Sequence, residues 1–384
     1  MREHWPEGLG PIACVVGARP NFMKIAPVLR AFSRHVPAIP ALLVHTGQHY
    51  DRDMNDRLFE DLGLPHPDIN LEVGSGTHAV QTAEVMRRFE PVLDECRPSA
   101  VLVVGDVNST LACTLVAVKK GIPVAHVESG LRSYDRTMPE EINRVLTDQV
   151  ADILYTTERA AADNLVREGV HPERIRFVGN VMIDSLLENR RHAPSPAAIL
   201  AAAGAGGVGE AYGLATLHRP SNVDHGETLE QLLRIFRDVA QKLPLVFAMH
   251  PRTRANIERF GLGWLADSSR LVILPPQGYL DMLGLMAGAT VVLTDSGGLQ
   301  EETTALGVPC LTLRDNTERP ITVEQGTNTL VGRDHAAILA AVEEILAGGG
   351  KRGRVPELWD GKAAERIAGD LSAWLIGRQA GVGQ

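Results

Sequence analysis

The chain has 384 residues, of which 44% are hydrophobic and 22% are charged. This length exceeds the size at which a single core stops growing, so we expect two domains, and the ordinary composition excludes disorder over long stretches. The net charge of -9 excludes a protein that attracts nucleic acid or an anionic membrane through its overall charge. An anionic ligand must therefore be met by local basic groups.

Cysteine and histidine usage argues against disulfides and bound metal. No two cysteines have CxxC spacing, and most lie within apolar runs, which is typical of buried free thiols in a reducing compartment. The four are Cys14, Cys96, Cys113 and Cys310. His45 and His49 are four residues apart, but the glycine between them disfavours a helical metal pair, so we predict no metal site.

The N-terminal sequence MREHWPEGLGPI lacks the apolar core of a secretory signal. No stretch reaches the roughly 18 uninterrupted apolar residues that a membrane span requires. We therefore predict a cytoplasmic protein with no membrane segment.

Strand-like and helix-like runs alternate along the chain, as in proteins built from parallel βαβ units. In chain order, the first half is predicted to contain a strand at 12–16, a helix at about 22–32, strands at 41–45 and 101–104, a helix at 111–119, and strands at 124–127 and 152–156. A segment near residue 190, rich in Ala, Gly and Pro, is the best linker candidate. Beyond it we predict strands at 214–217, 245–249, 271–274, 291–294 and 310–313, and a helix at about 228–243.

Two segments share one layout of strand, polar turn, helix, Gly-x-Pro and strand. They are VLVVGDVNSTLACTLVAVKKGIPVAHVESG and VVLTDSGGLQEETTALGVPCLTLRDN. In both, glycine ends the helix and proline begins the next strand. The sequence therefore predicts an α/β protein with two Rossmann-like domains facing across a cleft. We place them at 1–185 and 186–362, with a terminal helical segment at 363–384.

Three carboxylates stand where a parallel sheet would direct them at a ligand. Asp106 and Glu128 each follow an apolar, β-branched run, and Glu140 opens the next helix. Residues just past the carboxyl ends of such strands face the ligand crevice of an open α/β sheet. The trio indicates acid/base chemistry in a cleft. The alternative is local pairing, for example of Glu140 with Arg144 one helical turn on.

The segment TDSGGLQEE follows a predicted strand and opens a helix. Backbone N–H groups of Ser296, Gly297 and Gly298 are suited to a phosphate at that helix N-terminus. Glu301 or Glu302 one turn on could accept hydrogen bonds from ribose hydroxyls. The alternative is an ordinary capped helix. Neither GxGxxG nor GxxxxGK[ST] is present, so a dinucleotide fold and an ATPase are not indicated.

Basic groups follow other predicted strands. The turn GARPNFMK carries Arg19 and Lys24, which suit a diphosphate beside a helix N-terminus, although solvated surface charge is equally compatible. His218 in TLHRPSN and His250 in MHPRTR follow neighbouring strands of the second half. One such histidine is often structural, but two at equivalent strand ends favour a functional site.

Taken together and in order, the motifs resemble the non-hydrolysing UDP-N-acetylglucosamine 2-epimerase family. The matching stretches run from about residue 14 to residue 332 and are GARPNFMKIAPV, TGQHYD, VVGDVNSTLA, HVESGLRSYDRTMPEEINR, TLHRPSNVD, MHPRT, PQGYLDMLGLM, TDSGGLQEE and RDNTERP…GTN. The resemblance implies a glycosyltransferase-B-like fold whose C-terminal helix returns to the first domain. It also implies a homodimer serving cell-envelope polysaccharide biosynthesis.

The resemblance also assigns roles to residues. The catalytic groups it implies are Asp106, Glu128, Glu140 and His218. The UDP-sugar contacts it implies are Arg19, Lys24, Arg144, His250, Arg252, Gln277, Ser296, Gly297, Gly298 and Glu302. A regulatory substrate site in bacterial relatives would fall on Gln48 and His49, but the following INLEVGSG stretch supplies no basic partner. Ser221 stands where many relatives carry an acid.

The implied reaction interconverts UDP-GlcNAc and UDP-ManNAc by removal of the C2 proton, elimination of UDP to 2-acetamidoglucal, and re-addition. It requires no cofactor or metal, and the partner is the UDP-sugar. Alternatives are a 2-epimerase for a modified sugar such as a diacetamido uronate, a hydrolysing epimerase, a glycosyltransferase of the same fold, and a non-catalytic sugar-nucleotide sensor.

Overall fold

The computed structural model describes residues 5–47, 59–266 and 270–382, without the side chains of residues 19, 265, 266, 381 and 382. The chain divides into two compact units. Unit 1 comprises Met1–Glu188 and Glu357–Gln384, and unit 2 comprises Asn189–Pro356. The first division lies close to the Ala-, Gly- and Pro-rich segment in which the sequence places a linker.

Unit 1 contains a parallel sheet of seven strands within the described residues, in the order β3-β2-β1-β4-β5-β6-β7. Its strands are β1 (Ile12–Val16), β2 (Ala41–His45), β3 (Ile69–Asn70), β4 (Ala100–Val104), β5 (Val124–Ser129), β6 (Ile153–Thr156) and β7 (Ile175–Phe177). Its first helices are α1 (Arg19–Arg34), α2 (His78–Cys96), α3 (Asn108–Lys119), α4 (Pro139–Val150), α5 (Arg159–Arg167) and α6 (Val181–Asn189). β1, β4 and β5 are buried along their whole length, as expected for a parallel sheet covered on both faces.

Unit 2 repeats this architecture with six parallel strands in the described residues, in the order β10-β9-β8-β11-β12-β13. The strands are β8 (Gly213–Thr216), β9 (Leu245–Ala248), β10 (Leu271–Leu274), β11 (Val291–Thr294), β12 (Cys310–Thr312) and β13 (Asn328–Leu330). The longer helices are α7 (Pro196–Ala202), α9 (Gly226–Lys242), α10 (Pro251–Arg259), α12 (Tyr279–Gly288), α13 (Gly297–Leu306) and α15 (His335–Leu346), and the short ones are α8 (Pro220–Val223), α11 (Gly263–Ala266) and α14 (Pro320–Glu324). The strand order in both units reverses direction next to the first strand, as in doubly wound folds.

The last helix, α16 (Ala363–Val382), belongs to unit 1 and packs against α1. Its residues Ile367, Leu371 and Leu375 recur every four positions and are at most 2% exposed, so they form one apolar face. Asp184 of α6 accepts hydrogen bonds from the first two backbone N–H groups of α16, at 3.2 and 2.7 Å. The predicted return of the C-terminal helix to the first domain is thus confirmed.

Candidate active site

Asp106 lies at the carboxyl end of β4, after a glycine with φ of +67°. Its Oδ2 is 2.6 Å from Nη2 of Arg144, and its side chain is 19% exposed. The side-chain amide of Asn143 donates to the Asp106 carbonyl oxygen at 2.9 Å. Helix α4 therefore fixes both the backbone and the carboxylate of Asp106 while leaving part of the carboxylate accessible to a ligand.

Glu128 lies within β5, because the strand predicted at 124–127 continues to Ser129. Its φ of +70° is in the left-handed region, which costs a residue with a Cβ atom roughly 1–2 kcal/mol. Its Oε1 is 2.7 Å from Nζ of Lys24, and the two side chains are 2% and 5% exposed. A buried carboxylate in this setting requires such a cation because desolvation penalises an isolated charge.

Lys24 reaches Glu128 because the GARPN turn is anchored. Oδ1 of Asn21 accepts the backbone N–H groups of Gly17 and Ala18, both at 3.1 Å. Nδ2 of Asn21 donates to the carbonyl of Val104 at 2.9 Å, which ties the start of α1 to the end of β4. The ammonium group of Lys24, assigned to UDP by resemblance, is thus directed at a catalytic candidate.

Glu140 occupies the first turn of α4 and is partly exposed. The local pair considered between Glu140 and Arg144 is not observed. Nη1 of Arg144 instead lies 2.6 Å from Oε2 of Glu141, and Glu141 also accepts the backbone N–H groups of Ser133 and Tyr134 at 3.0 and 2.8 Å. Within the part of the chain that the structure describes, Glu140 makes no ion pair or hydrogen bond through its carboxylate, so it can act on a ligand.

His218 and Asp295 follow the neighbouring strands β8 and β11 of unit 2. Nδ1 of His218 is 2.8 Å from Oδ1 of Asp295, which is fully buried, whereas the histidine side chain is 39% exposed. Burial raises the pKa of Asp295, but hydrogen bonds from His218 and from the backbone N–H of Arg219 outweigh it and hold the pKa below its ordinary value. The ionised carboxylate orients His218 with Nε2 on the accessible side.

His250 follows β9, and its ring centroid is 5.8 Å from that of His218. The structure thus brings together the two strand-end histidines that the sequence singles out. Nδ1 of His250 accepts the backbone N–H of Arg252 at 3.2 Å and caps α10. Arg252 forms an ion pair with Asp224 through Nε at 2.8 Å, which leaves its side chain 47% exposed.

Ser296 precedes α13, and no side chain caps this helix among the described residues. A Cβ atom added to Gly297 would lie 2.6 Å from Oε1 of Glu318 and 2.7 Å from Nη1 of Arg319. Only glycine allows these two side chains to approach the turn so closely. The turn Ser296–Gly298 therefore presents the positive end of a helix dipole with a guanidinium group at its side.

A buried charge cluster surrounds that turn. The Glu318 carboxylate forms ion pairs with Arg219, Arg314 and Arg319 at N–O distances of 3.3, 2.8 and 2.7 Å. Nε of Arg319 is also 2.9 Å from Oε1 of Glu301. The guanidinium of Arg319 thus lies beside the helix N-terminus and, with the N–H groups of the turn, can bind an anion.

Two further residues of unit 2, Glu302 and Gln277, are assigned by resemblance to UDP-sugar binding. Glu302 is 4% exposed and accepts a hydrogen bond from the Tyr279 hydroxyl at 3.3 Å. The Gln277 amide donates to the Pro275 carbonyl at 2.7 Å. The Arg19 side chain and the possible regulatory residues Gln48 and His49 lie outside the described part of the chain.

In 5–47, 59–266 and 270–382, no group of three or more His, Cys, Asp or Glu side chains is arranged to hold a metal ion.

A protein-family model described as UDP-N-acetylglucosamine 2-epimerase matches residues 33–372 of the chain. The chain belongs to the UDP-N-acetylglucosamine 2-epimerase family.

Relatives named as epimerases align along most of the chain. A UDP-N-acetylglucosamine 2-epimerase of Methanocaldococcus jannaschii is 42% identical over 93% of this chain and 97% of its own length. A crystal structure of the M. jannaschii enzyme in complex with UDP-GlcNAc and UDP has a TM-score of 0.87, covering 94% of this chain and 99% of that chain. A UDP-2,3-diacetamido-2,3-dideoxy-D-glucuronate 2-epimerase of Pseudomonas aeruginosa is also 42% identical, over 87% of this chain and 92% of its own.

Family membership confirms the predicted enzyme class and the fold of two parallel-sheet α/β domains. In the described ranges, none of the helices combines the length and the apolar character that crossing a bilayer demands.

The sequence patterns do not single out Asp295, which they place only within a phosphate turn, or Glu318 and Arg319, which lie beside that turn. The signal for Asp295 was present, since an acid directly after one strand lies beside a histidine after the neighbouring strand.

Proposed function

We propose that this protein is a non-hydrolysing 2-epimerase that interconverts UDP-GlcNAc and UDP-ManNAc. The observation that carries the proposal is the set of carboxylates in unit 1, where Asp106 and Glu128 are each held by a cation and Glu140 is left accessible. Such a set can remove and return a proton at a sugar carbon. The M. jannaschii relative, solved with UDP-GlcNAc and UDP, supports the choice of substrate.

In the proposed reaction, a carboxylate removes the C2 proton of the sugar. The electron pair of that C–H bond forms the C1–C2 double bond, and the C1–O bond to UDP breaks, which gives 2-acetamidoglucal and UDP. A second acid then returns a proton to C2 from the opposite face, and a phosphate oxygen of UDP reattaches at C1. Asp106, Glu128 and Glu140 are the proposed proton carriers.

The departing UDP anion is assigned to unit 2. The uncapped N–H groups of α13 and the guanidinium of Arg319 would stabilise the diphosphate as charge develops on it. His218, held by Asp295 at 2.8 Å, would donate to the diphosphate from Nε2. The other proposed UDP-sugar contacts are Arg19, Lys24, Arg144, His250, Arg252, Gln277, Ser296, Gly298 and Glu302.

One observation favours a second candidate substrate. The P. aeruginosa diacetamido-glucuronate epimerase is as similar to this chain, at 42% identity, as the M. jannaschii enzyme. Overall identity therefore does not select between the two sugars. The second candidate is the same 2-epimerisation on UDP-2,3-diacetamido-2,3-dideoxy-D-glucuronate.

Proton NMR of the purified protein with UDP-GlcNAc alone in D2O tests the main proposal. We expect deuterium at C2 of intact UDP-sugar and the appearance of UDP-ManNAc. Free ManNAc as the main product would indicate hydrolysis, and turnover only after addition of a sugar acceptor would indicate a transferase. A parallel reaction with the diacetamido uronate substrate, compared by kcat/KM, decides between the two epimerase substrates.

We also propose that the enzyme acts in the cytoplasm as a homodimer in cell-envelope polysaccharide synthesis. Buried, free Cys14, Cys113 and Cys310 fit a reducing compartment. Helix α4 exposes an apolar stripe of Ile142, Leu146 and Val150, which are 43%, 46% and 36% exposed. A stripe at four-residue spacing on one helix face suits burial against a second copy of the chain.

A further inference from the structure

A buried ionic chain lies beneath the catalytic candidates of unit 1. Nδ1 of His126 is 2.7 Å from Oδ1 of Asp148, and both side chains are fully buried. Oδ2 of Asp148 is 2.8 Å from Nη1 of Arg132. Nε and Nη2 of Arg132 donate to the two carboxylate oxygens of Glu168 at 2.8 and 2.7 Å. These contacts run from the buried His126 to the partly exposed Glu168.

The hydrogen bonds fix the orientation of the His126 ring. Nε2 lies 2.8 Å from the carbonyl oxygen of Gly105, which can only accept, so Nε2 carries a proton. Burial raises the pKa of Asp148, but contacts with His126 and Arg132 outweigh it and lower the pKa. The His126 ring thus connects Asp148 to Gly105, the residue before Asp106.

Asp148 also holds the backbone on both sides of Glu128. Its Oδ1 receives the ring of His126, two residues before Glu128, and its Oδ2 accepts the backbone N–H of Gly130 at 3.0 Å. Between these points the pairing of β5 with β6 changes register, at Val127 and Ser129. Glu128 there adopts its left-handed φ of +70°. A conformation that is unfavourable by itself persists only where surrounding contacts enforce it.

We propose that Asp148 is a positioning residue for the epimerisation: by bracketing Glu128 between His126 and Gly130, it imposes the backbone conformation that aims the Glu128 carboxylate. Through His126 it also fixes Gly105 and hence Asp106. This role rests on the proposed function, and it assigns to Asp148 no contact with the substrate. Both catalytic candidates keep their mutual placement through one buried carboxylate.

The test compares Asp148→Asn with Glu168→Gln. Asp148→Asn removes the charge of the carboxylate that contacts His126 and Gly130 on either side of Glu128. Glu168→Gln removes the outer carboxylate of the same ionic chain and leaves those two contacts intact. We expect Asp148→Asn to lose at least about tenfold in kcat, because a small misplacement of a catalytic group costs up to about 100-fold. KM and the UDP dissociation constant, measured by calorimetry, should change less than about twofold, because a positioning defect acts on the chemical step. Glu168→Gln should retain wild-type kcat.

Wild-type kcat in Asp148→Asn, or an equal loss of kcat in Glu168→Gln, would overturn the proposal. If Asp148→Asn does not fold, His126→Gln replaces it under the same criteria, because glutamine retains a donor for the Gly105 carbonyl but loses the Asp148 contact. NMR of protein labelled with 15N-histidine adds a readout independent of turnover: Asp148→Asn should shift the ring resonances of His126, and unshifted resonances would also overturn the proposal. If the wild-type protein does not introduce deuterium at C2, the proposed function itself is refuted. If the wild-type protein exchanges normally and Asp148→Asn has unaltered turnover, only the role of Asp148 is refuted.

Discussion

Arg144 contacts the carboxylates of Asp106 and Glu141 through its two terminal nitrogens, each at an N–O distance of 2.6 Å. Glu141 is itself fixed by backbone N–H groups of the 133–134 loop, so the guanidinium has little freedom to follow a ligand. Asp106 therefore meets a ligand from a fixed position, already hydrogen-bonded to a cation. Preorganisation of this kind lowers the reorganisation that accompanies a proton transfer.

Asp106→Asn should lower turnover by at least ~100-fold, because an amide cannot exchange the C2 proton and acid/base groups typically contribute that much. Binding of UDP should persist, since unit 2 carries the proposed diphosphate site. Steady-state kinetics and UDP calorimetry measure the two effects. Asp163→Asn removes an exposed carboxylate from the same unit as a control, and near-normal turnover in Asp106→Asn would remove Asp106 from the mechanism.

Asp295→Asn should lower kcat and destabilise unit 2. Within the described ranges, the groups that contact Asp295 are all donors, namely His218, Arg219 and Asn222. The NH2 group of an asparagine would face these donors, and we expect this mismatch to lower the free energy of unfolding by about 1–3 kcal/mol. Kinetics and denaturant unfolding measure both effects. The control is Asp238→Asn, which breaks a half-exposed pair with His335 of similar length, 2.8 Å, and exposed pairs contribute little.

The same substitution has a pH signature. The pKa of Asp295 in the folded protein lies below its ordinary value of 3.8, so the unfolded chain binds a proton first as the pH falls. The stability that Asp295 contributes is therefore present above about pH 4 and is lost as the pH falls through the folded-state pKa. Unfolding midpoints of wild type and Asp295→Asn should differ at pH 7 and converge toward pH 3; a constant difference would contradict an ionised Asp295.

At the scale of elements, strand ends recur as the places where chemistry is positioned. β4 and β5 deliver Asp106 and Glu128, and β8 and β11 deliver His218 and Asp295. The sequence pattern predicts β1, β2, β10 and β11 with the observed bounds, because each is a short apolar run with polar or turn-forming residues at its ends. The short strands β3, β7 and β13 are not predicted, since two or three residues at a sheet edge carry too little pattern.

The turn before α13 gives a prediction at this scale. Gly297→Ala should weaken UDP binding by about tenfold, because its Cβ would displace Glu318 and Arg319 from the helix N-terminus, where an anion contact contributes about 1 kcal/mol or more. Calorimetry with UDP measures the change. Gly263→Ala, where a Cβ meets nothing within 4 Å, should bind UDP normally, and equal affinities in all three proteins would exclude the turn as the diphosphate site.

At the scale of the whole molecule, two units of the same architecture carry different groups: unit 1 has the carboxylates, and unit 2 has the histidines and the anion turn. The last helix, α16, returns to unit 1 through its apolar face and the Asp184 contacts. The sequence predicts this division from two matching βαβ segments. The carboxylates of unit 1 are not themselves among the proposed UDP contacts, so Asp106→Asn is expected to lower kcat while UDP still binds.

Leu146→Glu should convert the proposed homodimer to a monomer, because it places a charge in the centre of the apolar stripe on α4. Light scattering coupled to size exclusion measures the mass in solution. Val166→Glu, on α5, changes a side chain of similar exposure, 50% against 46%, and should leave the mass unaltered. A dimer that survives Leu146→Glu, or a monomeric wild-type protein, would contradict the assignment of this stripe.

The sequence by itself determined the α/β class, most strands, the positions of Asp106, Glu128, Glu140 and His218, and the family resemblance, because each depends on short-range patterns. Only the tertiary structure decided which groups pair. Lys24 pairs with Glu128, 104 residues away in the sequence, and His218 pairs with Asp295, 77 residues away. Arg144 pairs with Glu141 and not with Glu140, although both glutamates lie within one turn of it on the helix. Ion pairing depends on distances and burial that a folded sheet sets, and no local pattern encodes them.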